Sequence, residues 1–276
     1  MTVSRIDARF GALKAEGRAG FVTYVMAGDP SAQATLEILR GLPGAGADLI
    51  ELGFPFSDPM AEGPTIQRAA ARGLKSGMTV RGTLDLVRAF REGDADTPVI
   101  LMGYLNPLET WGHAAFARDA AAAGVDGLIV VDCPPEEAGP LTDALDAEGL
   151  ALIRLATPTT DDARLKIVTA RTSGFVYYVS VAGVTGVKEA DADAVAPAVA
   201  RVRAASGLPV AVGFGIKTPQ RAAEVARVAD AVVAGSVLVD EVAAAIAAGA
   251  DPTARVLDKV RALADAVRGA RAPQMA

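Results

Sequence analysis

Residues 47–64 read Ala-Asp-Leu-Ile-Glu-Leu-Gly-Phe-Pro-Phe-Ser-Asp-Pro-Met-Ala-Glu-Gly-Pro. A mostly apolar run ends in the carboxylate of Glu51, which is typical of a buried strand with a polar side chain at its carboxyl end. The loop that follows combines prolines, which restrict φ, with glycines, which permit turns, and it carries a second acid, Glu62. Two acids in these positions are candidate proton-transfer groups, and ordinary solvated loop acids are the alternative.

On both sides of this stretch, short apolar runs alternate with longer amphipathic segments. The predicted strands are 21–26, 49–52, 99–102, 127–131, 151–155, 175–180, 209–212 and 231–234. The predicted helices are 31–42, 79–91, 111–123, 135–148, 161–172, 192–205, 218–228 and 252–268. Strands that alternate with helices must pair in parallel, because each helix returns the chain across the sheet. Eight such units in about 250 residues predict an α/β fold of the (β/α)8 TIM-barrel type.

An open doubly wound sheet is the alternative architecture. Such sheets often carry a glycine fingerprint after the first strand, and residues 26–30, Met-Ala-Gly-Asp-Pro, do not match it. Residues 5–16 predict an extra N-terminal helix that closes the bottom of the barrel, and residues 241–248 predict an extra helix after strand 8. Because no linker interrupts the pattern, residues 1–276 are expected to form a single (β/α)8 barrel domain.

Composition excludes several classes of function. The chain has 276 residues, of which 51% are hydrophobic, and a formal net charge of -6, which argues against a nucleic-acid surface. Cys133 is its only cysteine, so an intramolecular disulfide is impossible and reducing surroundings are compatible with the sequence. Neither a signal peptide nor an apolar run of membrane-spanning length is visible. The sequence therefore predicts a cytoplasmic protein that binds neither nucleic acid nor membrane.

Two glycine loops follow the last two predicted strands. Gly213-Phe214-Gly215-Ile216 follows strand 7, and Gly235-Ser236 follows strand 8 and opens a helix-like run. Small residues let backbone N–H groups approach a phosphate, and these two loops form a recurrent phosphate site of barrels. Tight strand–helix turns with no ligand are the alternative. Residues 180–188, rich in small side chains, predict either a lid over the ligand or a plain connector.

The residues that are missing also restrict the chemistry. His113 is the only histidine, so no histidine cluster exists for a transition metal, and no metal site is predicted. None of the lysines lies in a predicted strand, which argues against a Schiff base. Carboxylates, with a tyrosine as a further candidate, remain as the groups that move protons. The substrate must then supply its own electron sink.

These residues resemble the alpha subunit of tryptophan synthase from about Phe10 to Arg268. The stretches that carry the resemblance are 51–59 with 63–67, 21–24 with 28–30, 182–186, 213–216 and 235–236. The resemblance implies a lyase that cleaves indole-3-glycerol phosphate to indole and glyceraldehyde 3-phosphate. It also implies that this chain has no cofactor of its own, since pyridoxal phosphate belongs to a partner beta subunit.

The resemblance further implies roles for individual residues. Glu51 matches the acid–base that serves indole C3 and the glyceryl hydroxyl, and Glu62 matches the acid that faces the indole N–H, where the family often has aspartate. Tyr177 matches the tyrosine beside the catalytic glutamate. The positions that match substrate-binding residues are Tyr24, Met102, Ile129 and Phe214 around indole, Thr185 on the lid, and Gly186, Gly215, Gly235 and Ser236 around phosphate.

The family forms an alpha2beta2 heterotetramer, in which indole passes to the beta subunit through a tunnel. Residues 54–62 and 181–193 match the segments that meet this partner. Three alternatives remain: a stand-alone lyase that releases free indole, a non-catalytic barrel that activates a partner, and a phosphosugar isomerase or epimerase on the same barrel.

Overall fold

Eight parallel strands close into a barrel in chain order, and β8 pairs back with β1. The structure is a computed structural model that describes residues 4–180, 192–213 and 215–271. The strands are β1 (Gly20–Met26), β2 (Leu49–Gly53), β3 (Val99–Gly103), β4 (Gly127–Val130), β5 (Ala151–Ala156), β6 (Val176–Val179), β7 (Val210–Gly213) and β8 (Ala231–Ala234). The prediction of a (β/α)8 barrel is therefore confirmed.

Helices cover the outside of the barrel and one of its ends. They are α1 (Arg5–Ala15), α2 (Ala32–Ala45), α3 (Pro64–Lys75), α4 (Val80–Arg91), α5 (Leu105–Trp111), α6 (His113–Ala123), α7 (Gly139–Ala147), α8 (Asp162–Thr169), α9 (Ala192–Ser206), α10 (Pro219–Ala226), α11 (Ser236–Ala247) and α12 (Pro252–Gly269). The extra N-terminal helix is confirmed as α1. The extra helix after strand 8 is also confirmed, but α11 begins five residues earlier than predicted, directly at Ser236.

Two parts of the helix prediction were wrong. Helix α3 was missed, although Pro64 at its first position after Gly63 is a common helix start. Helix α5 was missed as well, and the helix predicted over 111–123 is α6, which begins only at His113 because Gly112, with a left-handed φ of 86°, separates it from α5. Both errors lie in segments that follow β2 or β3, where loop residues adjoin the carboxyl end of the barrel.

Alternating side chains along the strands build two layers of core. Val22, Ile100 and Ile153 belong to the cluster inside the barrel, whereas Leu52 and Leu101 belong to the cluster between strands and helices. This alternation follows from the period of two in a β-strand.

Helix α1 seals the amino end of the barrel. Its buried residues Ile6, Phe10 and Leu13 join the inner cluster, and the Phe10 ring lies 5.7 Å from the ring of Phe175. Burying such side chains stabilises the fold by about 1.5–3 kcal/mol each, as an upper estimate.

Three aspartates at the amino end repeat one arrangement. Each stands directly before an even-numbered strand, and its carboxylate accepts a backbone N–H from the first or second residue of the preceding odd-numbered strand. The bonds are Phe21 N–H to Asp48 at 2.9 Å, Val99 N–H to Asp126 at 2.8 Å and Val210 N–H to Asp230 at 2.8 Å. In each case the aspartate N–H in turn donates to the carbonyl of that same residue. The carboxylates therefore fix the register between neighbouring strands.

Arginines balance the charge of these aspartates. Arg18 donates to both oxygens of Asp48 at 2.8 and 2.9 Å. Arg203 lies 2.9 Å from Asp230, and Asp126 receives Arg91 at 2.7 Å and Arg5 at 3.0 Å. Charge-assisted hydrogen bonds of this kind are short and strong, so these arginine–aspartate pairs help to hold the amino end of the barrel together.

Candidate active site

Glu51 lies on the inner face of β2, with Tyr24 of β1 on one side and Ile100 of β3 on the other. The residue is 1% exposed, and its Oε1 atom is buried without a hydrogen-bond partner in the described part of the chain. Burial raises the pKa of Glu51 to about 8, and the nearby charge of Glu62 adds to the increase. The carboxyl group therefore holds its proton at neutral pH, unlike an ordinary glutamate.

Glu62 comes from the loop between β2 and α3 and is also buried, with 6% exposure. Burial raises its pKa to about 7. The Tyr104 hydroxyl accepts the Ala61 N–H at 2.9 Å, and the Gln67 amide donates to the Glu62 carbonyl at 2.8 Å. The Tyr104 ring also stacks on Phe56, with 5.0 Å between centroids. This loop is therefore fixed on both sides of Glu62.

Two tyrosines flank the carboxyl pair. Tyr24 and Tyr177 are buried, and burial together with the charges of Glu51 and Glu62 raises the pKa of each well above its usual value. Glycines on neighbouring strands make room for their hydroxyls. A Cβ added to Gly53 would lie 2.3 Å from the Tyr24 hydroxyl, and one added to Gly213 would lie 2.1 Å from the Tyr177 hydroxyl. Gly53 and Gly213 therefore leave the space that the two tyrosine hydroxyls occupy.

One cavity at the carboxyl end of the barrel joins these groups. It has about 510 Å³ of empty space, including its open mouth. The residues that line it are Tyr24, Glu51, Glu62, Ile66, Met102, Tyr177, Gly215, Ile216, Val233, Gly235 and Ser236. Apolar side chains supply most of the wall, and few polar groups face inward, as in typical small-molecule sites.

The far rim of the cavity consists of backbone and small side chains. Gly215 has a φ of 76°, and Gly235 precedes Ser236, the first residue of α11. Among the described residues, no side chain forms a capping hydrogen bond at this helix start. The first N–H groups of a helix have no partner within it and attract anions. The cavity therefore has carboxyl groups in one part and hydrogen-bond donors in another.

The structure brings most of the predicted site residues into this one cavity. Ile129 is an exception, because it is fully buried in the inner cluster on which Met102 packs and does not line the empty space. Thr185, Gly186 and Phe214 lie outside the described residues, as does most of the predicted partner segment 181–193.

Three apolar wall residues of the cavity, Ile66, Ile216 and Val233, were not predicted from the sequence. Val233 could have been found from the alternation along β8, and Ile66 from a helix start at Pro64. Tyr104 stood at a predicted strand end, but its bond to the loop of Glu62 had no sequence signal.

Within residues 4–180, 192–213 and 215–271, no group of three or more histidine, cysteine, aspartate or glutamate side chains could hold a metal ion. In the same ranges, no helix is both long and apolar enough to cross a membrane. The fold and the cavity define a (β/α)8-barrel enzyme with two buried carboxyl groups in a cavity at the carboxyl end of the strands.

Comparison with known proteins identifies the family. The family model of the tryptophan synthase alpha chain matches residues 10–268. The tryptophan synthase alpha chains of Phenylobacterium zucineum (strain HLK1) and Caulobacter sp. (strain K31) are 76% and 75% identical over 271 residues, with 98% of each chain covered. The crystal structure of tryptophan synthase subunit alpha from Legionella pneumophila is 41% identical and superimposes with a TM-score of 0.90, covering 96% of this chain and 99% of the other. The chain belongs to the tryptophan synthase alpha chain family.

Membership of this family confirms the predicted enzyme class, a lyase of tryptophan biosynthesis. Members cleave indole-3-glycerol phosphate and form complexes with a beta subunit. Pyridoxal phosphate belongs to that beta subunit, and the alpha chain has no cofactor of its own.

Proposed function

We propose that this chain cleaves indole-3-glycerol phosphate in the cavity at the carboxyl end of its barrel, with Glu51 as the acid–base. The observation that carries the proposal is the state of Glu51. It is a buried carboxyl group without a basic partner in the described residues, its pKa is raised to about 8, and it shares a cavity with the start of α11. General acids need a pKa near the working pH, and this environment supplies one.

In the first step, protonated Glu51 donates its proton to indole C3, and the ring becomes an iminium-like cation. The Glu51 carboxylate then accepts the proton of the glyceryl hydroxyl next to the ring. The bond between C3 and the glyceryl carbon breaks, its electron pair returns to the ring, and the glyceryl carbon becomes the aldehyde. Glu51 ends the cycle protonated, so one carboxyl serves both transfers.

The proposed role of Glu62 is to balance the positive charge that develops on the indole ring. The residue faces the same cavity, and its pKa is raised to about 7, so it ionises more readily than Glu51. When one carboxylate is ionised, its charge disfavours ionisation of the other. We infer that Glu62 carries the negative charge in the first step and accepts the indole N–H.

The apolar wall of the cavity is proposed to bind the indole ring, and the far rim is proposed to bind the phosphate. Tyr24, Met102 and Tyr177 line the part of the cavity proposed for indole, and Ile129 lies beside Met102 on the neighbouring strand β4. Gly215, Gly235 and Ser236 are proposed to bind the phosphate through backbone N–H groups and the serine hydroxyl. Thr185, Gly186 and Phe214 remain proposed contacts from outside the described residues.

We also propose which partner receives the indole, where in the cell the reaction takes place and that the chain acts as one domain. The indole product passes to a beta subunit in an alpha2beta2 complex, and the reaction takes place in the cytoplasm. Residues 1–276 act as one domain, a proposal that the single closed barrel supports. Two separate unfolding transitions in calorimetry would contradict the single domain, and a fluorescent fusion found outside the cytoplasm would contradict the location.

The test is Glu51→Gln, which keeps the shape of the side chain and removes its exchangeable acid proton. We expect indole formation to fall by about 10²–10⁴-fold, while substrate binding changes little. Glu37→Gln is the matched control, because it makes the same change at an exposed position of α2 and should leave the rate unchanged.

Substantial indole formation by Glu51→Gln would show that the acid–base assignment is wrong. A wild-type chain that binds substrate but releases no indole, even with a beta subunit, would instead indicate a non-catalytic barrel. A rate that does not respond to an added beta subunit would favour the stand-alone lyase.

A further inference from the structure

Arg154 carries a buried positive charge outside the barrel interior. It does not line the cavity that contains Glu51 and Glu62. The residue is 7% exposed and lies on β5, on the same face as Leu152 and Ala156 of the outer core cluster. Its guanidinium therefore lies between the strands and the surrounding helices. Within the described residues its one hydrogen bond runs from Nη1 to the Cys133 carbonyl at 3.4 Å. Since a guanidinium has five N–H donors, most of its capacity is unused.

Two adjoining cavities meet at this guanidinium. One, with about 750 Å³ of empty space including its opening, is also lined by Thr142, Lys166 and Arg171. The other, with about 520 Å³ measured in the same way, is also lined by Cys133 and Arg164. A water molecule occupies roughly 30 Å³ of liquid, so there is room for a small ion with part of its hydration shell.

The charges around these cavities are mostly positive. Glu136 is the one acidic residue among those that line either cavity, and it pairs with Arg164. Arg171 pairs with two exposed aspartates of α7, Asp143 and Asp146. Neither Arg154 nor Lys166 forms a salt bridge within the described residues, and the nearby charge of Glu136, which pairs with Arg164, offsets only part of the positive charge. Burial lowers the pKa of Arg154, which reflects the cost of holding this charge away from water.

We propose that Arg154 is the centre of an anion-binding site between β5, α7 and α8, which takes a small, doubly charged oxyanion such as free phosphate. A planar guanidinium binds such oxyanions through two parallel hydrogen bonds, and Lys166 adds a second positive charge. A dianion fits better than a single carboxylate, because two basic groups face the space without acidic partners.

Cys133 provides a reporter for this site, because it lines one of the cavities and is the only cysteine of the chain. The full-length protein is treated with the neutral thiol reagent 4,4′-dithiodipyridine while inorganic phosphate replaces chloride at constant ionic strength. We expect the modification rate to fall saturably, with a half-effect at a phosphate concentration on the order of 1 mM. Acetate should protect less. The melting temperature, followed in parallel, should rise over the same phosphate range.

Arg154→Met should weaken the phosphate effect at least about tenfold, because charge-assisted hydrogen bonds are lost. Arg154→Lys, which keeps the charge, should weaken it less. Lys259→Met removes a lysine that pairs with Glu241 elsewhere, and it should leave the effect unchanged. Ser236→Ala, at the rim of the catalytic cavity, should also leave the Cys133 response unchanged, so failure of the proposed lyase function is a separate result.

The site would be disproved if phosphate did not alter the Cys133 rate of the wild type, whatever its effect on the melting temperature, which phosphate bound at Ser236 could also raise. It would also be disproved if Arg154→Met responded with an unchanged midpoint while circular dichroism showed a native fold. Protection by acetate and phosphate alike, at equal ionic strength, would contradict the preference for a dianion.

Discussion

Two pairs of buried carboxylates have opposite surroundings, namely Asp48 with Asp126 at the amino end of the barrel and Glu51 with Glu62 at its carboxyl end. At the amino end, Asp48 and Asp126 each lie within hydrogen-bond distance of an arginine and a strand N–H. At the carboxyl end, Glu51 and Glu62 have no basic partner within the described residues, and burial raises the pKa of both. A buried charge without a partner costs stability, whereas a paired one is neutralised.

The difference indicates which end serves the fold and which end serves the reaction. Carboxylates that bind strand N–H groups hold neighbouring strands in register. Carboxyl groups with raised pKa values exchange protons near neutral pH, and they cluster at functional sites. A protein accepts that local loss of stability where activity depends on it. Substitutions at the two ends should therefore separate stability from activity.

The largest expected effect is on stability, at the amino end. Asp126→Ala leaves the Arg91 guanidinium and the Val99 N–H without their acceptor, and we expect the free energy of unfolding to fall by about 3–5 kcal/mol. Urea unfolding measures this loss as a lower midpoint, and the activity of the folded fraction should be unchanged. Asp85→Ala, which breaks an exposed pair with Arg88, is the control and should cost less than about 1 kcal/mol. A stable Asp126→Ala with reduced activity would overturn the comparison.

The next effect is on activity, at the carboxyl end. A Cβ at position 213 would lie 2.1 Å from the Tyr177 hydroxyl, so Gly213→Ala must displace that ring. We expect kcat/KM for indole formation to fall by about 100-fold, since a shift near 1 Å in a site has that effect. Gly139→Ala is the matched control, because a Cβ there meets no atom within 4 Å. Equal rates for both variants would show that Tyr177 does not depend on Gly213.

The third prediction is a gain of stability from a catalytic substitution. Below pH 4.5, the usual pKa of glutamate, Glu51 is protonated in both the folded and the unfolded state and contributes nothing. Between pH 4.5 and about 8 the unfolded state releases the proton and the folded state keeps it, so the wild type loses stability as pH rises. Glu51→Gln should therefore be more stable by about 1–3 kcal/mol at pH 8, and by nothing at pH 4.

Urea unfolding of the wild type and Glu51→Gln at the two pH values measures this difference. Asp48→Asn, at the opposite end of the barrel, should be less stable than the wild type at pH 8, because its carboxylate pairs with Arg18. If Glu51→Gln were destabilised at pH 8, the carboxyl group would have to be ionised and paired in the folded protein.

The smallest effect concerns the loop of Glu62. Tyr104→Phe removes the hydroxyl that accepts the Ala61 N–H and should lower stability by about 1 kcal/mol and kcat by about tenfold. The pH dependence of kcat should also shift, because Glu62 is then held less firmly. Tyr178→Phe, on the outer face of β6, should preserve both kcat and its pH dependence. A Tyr104→Phe variant with wild-type kinetics would show that the remaining contacts suffice to hold the loop.

Much of this architecture follows from local patterns in the chain. The alternation of short apolar runs with amphipathic segments predicted all eight strands, each within one residue at either end. Glu51 was recognisable because it ends such a run, and barrels place functional groups at strand ends. Gly235 and Ser236 were recognisable for the same reason. Helix α3 was missed because the residues up to Pro64 were interpreted as one loop that follows β2.

The surroundings of each carboxyl group had no local signal. Asp48 and Glu51 are three residues apart and are equally acidic in the sequence, but one meets Arg18 and the other meets no base in the described residues. Likewise, nothing in the local sequence indicates that Arg154 is buried, because its burial depends on helices α7 and α8, which pack beside it. The sequence by itself therefore determined the order of the strands, the positions of the strand ends and most of the helices, since these depend on neighbours along the chain. Tertiary structure alone decided which charges are paired, because pKa and hydrogen bonding depend on burial and on partners that are distant in sequence.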